Sequence, residues 1–407
     1  MSIKVLMFGW EFPPHNSGGL GTACFGLTRA LAREDVEVLF VLPKRVAVTA
    51  EYARLLFADE GTIRIQEVAS SLTPYVTASR YSEEFGRIGD SLYGPTLFDE
   101  VRRYALRARE IAAREQFDII HAHDWLSFLA GLAAKEVSGK PLVLHMHATE
   151  FDRTGGQGVN SDVYAIEQRA MQAADKIIAV SNYTKQKIVE QYGIHPEKVS
   201  VVHNGIDVED YTHQIERLET LRANGNKVVL FTGRLTVQKG PEYFIRAAKR
   251  VLYFCPNTLF VIAGSGDMEY RLMQEAASLG ISDRVLFVGF VRGAELDALY
   301  RTADLFVMPS VSEPFGITPL ESVINGTPVL LSKQSGVAEV LTHALKADFW
   351  DTDELANKMV SVLEHDALQS TLSSYGSAEV HGLTWKRAAE KCVSIYHDLL
   401  FAPALVS

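Results

Sequence analysis

Short runs that are apolar throughout recur along this chain, each separated from the next by a helical stretch or turn signals, and this rhythm limits the fold more than any other feature. Ile3–Phe8 and Val36–Leu42 flank a loop rich in Pro, Gly and Asn, from Pro13 to Gly21, and a helical stretch from about Thr22 to Arg33. Asp118–His121, Pro141–His145, Lys176–Val180 and Val199–His203 continue the series. A run that does not alternate predicts a strand covered on both faces, the condition of parallel strands joined by helices. A second series begins at Lys227–Thr232 and continues through Leu259–Ala263, Val285–Val288, Leu305–Met308 and Val329–Ser332. Two such series predict an α/β chain of two Rossmann-like, doubly wound domains facing across a cleft. The polar stretch from Asp207 to Asn226 reads as the linker. Residues 45–100 fit neither period and read as an insertion at the cleft edge.

The 407 residues suit two domains of about 200 each. Forty Lys and Arg against fifty Asp and Glu give a formal net charge of −10. That balance excludes a global nucleic-acid footprint and a strong attraction to anionic membranes, so an anionic ligand needs a local basic pocket. Cys24, Cys255 and Cys392 lie far apart without a C-x-x-C, which suggests reduced thiols and a cytoplasmic setting. The opening apolar run, Val5–Trp10, is too short for a signal sequence, and no run approaches the roughly 20 residues of a membrane span, so no stable membrane insertion is expected. Oligomeric state has no signature in the sequence.

Several motifs fall at expected strand ends, where open α/β sheets bind ligands. Gly18-Gly19-Leu20-Gly21 follows a strand and opens a helix, which suits either a phosphate loop or a tight turn. It is not the G-x-G-x-x-G dinucleotide fingerprint. Arg234 and Lys239 flank the loop after the first strand of the second series; they read equally as an anion clamp or as solvated charges at a helix start. Glu313 and Glu321 form an E-x7-E pair after the strand Leu305–Met308. Loop amides near Phe315-Gly316-Ile317 could cradle a phosphate, whereas an acid satisfying a helix dipole accounts for Glu321 better than for Glu313. His121-Ala-His123-Asp124-Trp125 and His145-Met-His147 end two neighbouring strands. Strand alternation puts each histidine pair on one side, yet no H-E-x-x-H or cysteine partner accompanies them, so a polar ligand site is preferred to a metal. Asp351-Thr-Asp353 precedes a helix and reads as a cap.

Taken together and in order, these motifs resemble the family-4 retaining glycosyltransferases of GT-B fold, especially the glycogen and starch synthase-like members. The resemblance spans nearly the whole chain. It rests on Trp10-Glu-Phe-Pro-Pro14 with Gly18–Gly21, His121–Trp125, His147-Ala-Thr-Glu150, Val180-Ser-Asn182, His203–Asp207, Gly233-Arg-Leu with Lys239-Gly240, and Glu313 to Glu321. It implies an N-terminal, acceptor-side domain of residues 1–208 and a nucleotide-sugar domain of residues 209–407, whose segment from about 384 crosses back to the first. It also implies residue roles: Arg234 and Lys239 on the donor diphosphate, His147 at the reacting sugar, Glu313 beside that sugar, and Phe315, Gly316 and Ile317 as backbone contacts. Glu321 would hold the nucleotide ribose, Asp124 sugar or acceptor hydroxyls, and Gly18 and Gly19 the donor phosphates. No metal and no cofactor are implied, the nucleotide sugar being a substrate.

Two departures bear on the donor. ADP-glucose synthases of bacteria and plants carry Lys-x-Gly-Gly in the first loop, where this chain has Asn16-Ser17 before Gly18-Gly19. They also tend to lack the second carboxylate, which Glu321 supplies here. The expected activity is retaining transfer of a glucosyl or other hexosyl unit from UDP- or ADP-glucose, UDP-glucose preferred, to an α-glucan. The alternatives are a small-sugar or surface-polysaccharide acceptor, as in trehalose or sucrose synthases, and a GT-B sugar-nucleotide epimerase.

Overall fold

The computed structural model describes residues 2–12, 19–43, 97–156, 158–211 and 217–401, together with the backbone of 63–67. The stretch 13–18, with Asn16 and Gly18, lies outside the described residues, as does most of the expected insertion at 45–100. The chain forms two compact units. The first comprises Met1–Glu150, Val159–Gly205 and Trp385–Ser407, and the second Phe151–Gly158 and Ile206–Thr384.

In the first unit, β1 (Ile3–Phe8), β2 (Val36–Leu42), β3 (Ile63–Glu67), β4 (Ile119–His123), β5 (Leu142–Met146), β6 (Lys176–Ala179) and β7 (Val199–Val201) form one sheet. Its order is β3-β2-β1-β4-β5-β6-β7, and every pairing is parallel. In the second unit, β8 (Lys227–Thr232), β9 (Thr258–Ala263), β10 (Val285–Gly289), β11 (Leu305–Met308), β12 (Val329–Ser332) and β13 (Leu345–Ala347) run β10-β9-β8-β11-β12-β13, again all parallel. The apolar runs are buried as their pattern requires: Leu6, Met7 and Phe8 in β1, and Val229, Leu230 and Phe231 in β8, are shielded from water. Each sheet reverses its winding once, between β1 and β4 in the first unit and between β8 and β11 in the second. Parallel order forces successive loops to open on the same edge, so the loops after these strand pairs diverge around a crevice at the carboxyl edge.

β1, β2, β8, β11 and β12 coincide with the expected runs. β3 and β13 do not appear among them. β3 falls within the stretch expected to be an insertion, and its Ile-Arg-Ile-Gln-Glu lacks a continuous apolar run. β13 has only three residues, Leu-Lys-Ala. Among the described residues both are sheet edges, with a neighbouring strand on one flank. The first helix starts at Gly19 rather than near Thr22, so Gly19 and Gly21 occupy its first turn instead of a loop before it.

The helix Trp385–Phe401 lies in the first unit, packed against Gly19–Arg33. The contact requires a missing side chain: a Cβ at Gly26 would stand 2.3 Å from Cε2 and Nε1 of Trp385, so the indole ring rests directly on helix backbone. The Gly26→Ala variant should therefore lose about 1–3 kcal/mol of stability through overpacking, read from its urea midpoint. An unchanged midpoint would mean that the ring can retreat without cost.

Candidate active site

At the carboxyl edge of the first sheet, β4 and β5 lie in register, with His123 opposite His145. Their residues therefore stand side by side, and His121, His123, His145 and His147 gather in one cluster of near-parallel rings, called the histidine column below, two rings from each strand. Neighbouring ring centroids are 4.3–5.3 Å apart and the rings tilt by only 14–29°. His121 Nδ1 meets the Tyr396 hydroxyl at 2.6 Å, and its Nε2 meets His145 Nδ1 at 3.2 Å. His123 Nδ1 meets His147 Nε2 at 2.9 Å. Burial, reinforced for His121, His123 and His145 by neighbouring histidines, disfavours the cationic form throughout. His121 and His147 are pushed down to about 3, and His123 and His145 well below the ordinary range. The column is therefore neutral at physiological pH.

Asp124 turns the chain from β4 into the next helix with φ 59° and ψ 170°. This backbone region is nearly closed to residues with a side chain and costs on the order of 1–3 kcal/mol. Its carboxylate accepts hydrogen bonds from the backbone N–H groups of His147 (2.7 Å) and Ala148 (3.2 Å). Asp124 thus fixes the backbone that carries His147. Nearby, Glu11 is wholly buried and accepts from the Gly21 N–H at 3.0 Å, anchoring the start of the first helix. A Cβ at Gly19 would meet nothing within 4 Å, so packing by the described residues does not demand a glycine there.

The second unit builds its site from the loops after β8 and β11. The Gly233 N–H donates to Ala263 O (3.0 Å), and the Leu235 N–H to Ser265 O (2.9 Å), so Arg234 sits between two stitched residues. Arg234 itself donates to Gln238 Oε1 at 3.3 Å. Buried Gln238 joins the two loops: its carbonyl accepts from the Val311 N–H (2.9 Å), and its amide donates to Ser312 O (3.2 Å). Ser312 Oγ in turn donates to buried Asp152 at 2.6 Å. Lys239 Nζ is 2.5 Å from Glu313 Oε2, and Ser310 Oγ donates to the same oxygen at 3.3 Å. This ion pair, well shielded on the Glu313 side, joins two residues that the motifs had assigned separately.

Gly316 has φ 95°, and a Cβ there would press within 3.2 Å of Glu313 Cγ, so its glycine sets the carboxylate's position. Phe315 O accepts from the Val337 N–H (2.8 Å), while Ile317 O accepts from the N–H groups of Leu320 and Glu321 at the start of the helix Thr318–Ile324. Glu321 receives hydrogen bonds from the hydroxyls of Tyr211 (3.3 Å) and Tyr300 (3.2 Å), and Tyr300 also meets Thr232 Oγ1 at 3.0 Å. Removal from water raises the Glu321 carboxyl to about 7 against the opposing effect of the two tyrosines, with a smaller push from Asp297.

Within the first unit, His147 and Asp124 come together; within the second, Lys239, Glu313 and Gly316 do, Arg234 lies on the same loop as Lys239 and bonds Gln238, and Glu321 lies one helical turn after Ile317 against Tyr211 and Tyr300. Gly18 lies outside the described residues. Gln238, Asp152, Tyr211 and Tyr300 escaped sequence reasoning because their contacts join segments far apart in the chain. Gly264 and Gly266 were also missed, although a G-x-G directly after a strand was there to be read. Asp351 caps the helix Thr352–Glu364 by accepting from the Glu354 N–H at 2.9 Å, and Asp353 pairs with Arg250. Among the described residues, no helix is long and apolar enough to cross a membrane.

Comparison with known proteins adds to this geometry. The model of Glycosyltransferase Family 4 matches residues 17–210, and that of Glycosyl transferases group 1 matches residues 212–379. An uncharacterized glycosyltransferase of Methanocaldococcus jannaschii is 30% identical over 408 residues, covering 97% of this chain and 98% of that one. Glycogen synthase of Mycobacterium tuberculosis is 30% identical over 350 residues, covering 84% of this chain and 80% of its own. Among solved structures, Anabaena HepE in complex with UDP and glucose superposes with a TM-score of 0.74 at 21% identity, covering 98% of this chain and 100% of its own. At that identity the likeness establishes the fold, the GT-B type with two Rossmann-like units.

The raised Glu321 carboxyl has a consequence for stability. Between the unfolded carboxyl's ordinary value of about 4.3 and about 7, the folded state binds more protons than the unfolded state, so Glu321 makes stability fall as pH rises through that window. Glu321→Gln should remove this component. Urea midpoints at pH 5 and 7.5 should differ less in the variant than in the parent chain, and an identical difference in both would show that Glu321 titrates normally.

Proposed function

The chain belongs to the glycosyltransferases, with the Family 4 model matching its first half and the group 1 model its second, and on that footing we propose that it moves a glucosyl unit from UDP-glucose, in preference to ADP-glucose, to an α-glucan with retention of configuration, as a glycogen synthase-like enzyme. One observation carries this reading. Two cations, Arg234 and Lys239, and two carboxylates, Glu313 and Glu321, lie on the loops and helix start that follow β8 and β11, where the second sheet reverses its winding, and Lys239 pairs with Glu313. That edge of an open α/β sheet suits a nucleotide, and an acidic chain that gathers cations there is equipped for a diphosphate.

Breaking the anomeric C–O bond leaves negative charge on the departing diphosphate while the sugar acquires oxocarbenium character. Arg234 and Lys239, with amides of the Phe315–Ile317 loop, stabilise that charge from fixed positions, so little reorganisation is needed as the bond breaks. Lys239 exchanges Glu313 for a phosphate oxygen when the donor enters, and this frees Glu313 to face the transferred sugar. Glu321 accepts hydrogen bonds from the ribose hydroxyls, with Tyr211 and Tyr300 as its partners until the donor arrives. His147 contacts the sugar, and Asp124 holds the backbone that presents it. Attack follows on the face the phosphate leaves, and the phosphate takes the acceptor's proton. No metal is required, because the two cations meet the diphosphate charge.

The UDP preference rests on Asn16 standing in place of the synthase lysine and on the presence of Glu321. Arg234→Ala and Lys239→Ala should each lower kcat/KM by roughly 10²-fold or more, and Glu321→Gln should chiefly raise the donor KM. The deciding experiment is a matrix of UDP-, ADP- and GDP-sugars against glycogen, maltooligosaccharides and small sugars, run in EDTA with NMR of the new linkage. UDP-glucose, glycogen and an α-linked product support the reading. A tenfold preference for ADP-glucose overturns the donor, turnover only of small sugars overturns the acceptor, and loss of activity on chelation or a β-linked product overturns the mechanism.

A further inference from the structure

The histidine column contains more nitrogen atoms than hydrogen bonds. Nε2 of His123 and Nε2 of His145 are buried without a partner. Ligating atoms of His121, His123 and His145 lie within 4.8 Å of one another, as do those of Cys24, His123 and His147, which raises the question of a metal. The contacts between the rings answer against it. A metal–imidazole bond takes the lone pair of a ring nitrogen, so a shared ion would have to displace contacts that these nitrogens already make with one another. Those hydrogen bonds between paired rings are in place at His123–His147 and His121–His145.

Each ring in a neutral column carries one N–H. The His123–His147 pair then has two possible arrangements. If His147 Nε2–H donates to His123 Nδ1, the proton of His123 sits on its buried Nε2, an N–H with no acceptor. If His123 Nδ1–H donates to His147 Nε2, the buried Nε2 of His123 is a bare nitrogen. Both leave one unsatisfied atom; among backbone groups an orphaned N–H is the rarer kind in protein interiors, and we apply the same preference to the ring nitrogens. We propose that His123 is a positioning residue that holds His147 in its Nδ1–H tautomer, so that His147 meets the substrate as a neutral hydrogen-bond donor. The same preference makes His145 donate through Nδ1 to His121, and His121 through Nδ1 to Tyr396.

This proposal rests on the reading of His147 as a group that contacts the transferred sugar, and it sharpens that role. With Nε2 occupied by His123, the ring cannot take a proton from the acceptor hydroxyl through that atom. It offers Nδ1–H to a sugar oxygen instead. Its main chain is held separately by Asp124, so the backbone and the tautomer have independent supports.

Long-range proton–nitrogen correlation spectra of 15N-histidine-labelled protein at neutral pH test the tautomer directly, because protonated and bare ring nitrogens resonate far apart. Signals are assigned with single-histidine variants. The expected result is a protonated Nδ1 and a bare Nε2 on His147. In His123→Phe, His147 should gain Nε2–H character, and kcat should fall about tenfold, the scale of one lost neutral hydrogen bond, with a smaller change in the donor KM. His123→Asn, whose amide nitrogen can stand where Nδ1 stood, should restore both. A protonated Nε2 on His147 in the parent chain overturns the proposal even if no His123 variant folds, and so does an unaltered His147 tautomer in a folded His123→Phe. The expected tautomer combined with normal turnover by His147→Ala upholds the assignment and overturns the catalytic role given to His147.

Discussion

The second unit's site depends on a backbone approach that only glycine permits. A Cβ at Gly264 would lie 1.8 Å from Gly233 O, and one at Gly266 would lie 2.4 Å from Leu235 O. A third, at Gly240, would reach within 2.2 Å of Pro309 O. Gly264 and Gly240 also hold positive φ, at 150° and 62°. These three residues let the loops after β8, β9 and β11 lie backbone against backbone. Hydrogen bonds between peptide groups, rather than flexible side chains, then set the places of Arg234 and Lys239. Preorganised charge requires such rigidity, since a cation on a loose loop would spend its attraction on ordering itself.

The two sites handle their buried basic groups in opposite ways. In the second, charge is kept and paired, with Lys239 against Glu313 and Ser310 adding a hydrogen bond. A shielded pair of this kind is costly to break by deleting one partner and easy to exchange for an equivalent one, which suits a site that receives an anion. In the first unit's histidine cluster, by contrast, burial disfavours charge on the imidazoles, while the carboxylates of Glu11 and Asp124 are buried against backbone N–H groups. Four near-parallel imidazoles lie where burial disfavours their cationic form, and they act through the directionality of their hydrogen bonds. One arrangement supplies electrostatic strength and the other supplies orientation.

Most of the fold was legible because continuous apolar runs between helical stretches have few other outcomes. The strands that escaped, β3 and β13, are edges with mixed composition. The motif residues were legible through type and order, as with Arg234, Lys239 and the E-x7-E pair. Their partners were not. Nothing local in Gln238 or Tyr211 announces a partner some 74 or 110 positions away. The Lys239–Glu313 pair illustrates the limit: both residues were singled out, but their contact depends on the sheet placing β8 beside β11. Asp124 was picked for its carboxylate, whereas its strained backbone angle and its grip on the amide of His147 belong to three dimensions alone.

The helix Trp385–Phe401 belongs to the first unit, although the chain leaves that unit at Gly205 and builds the rest of the second unit before returning. On the ribosome, domains are completed in order of emergence, and here that order is nested. The second unit can close while the first still lacks the helix that rests on Gly26. Until then the first helix exposes the face reserved for Trp385, and His121 has no Tyr396 hydroxyl to meet. The innermost polar contact of the histidine column is therefore among the last to form during synthesis, and a ribosome that stalled before Trp385 would hold a finished second unit beside an unfinished first.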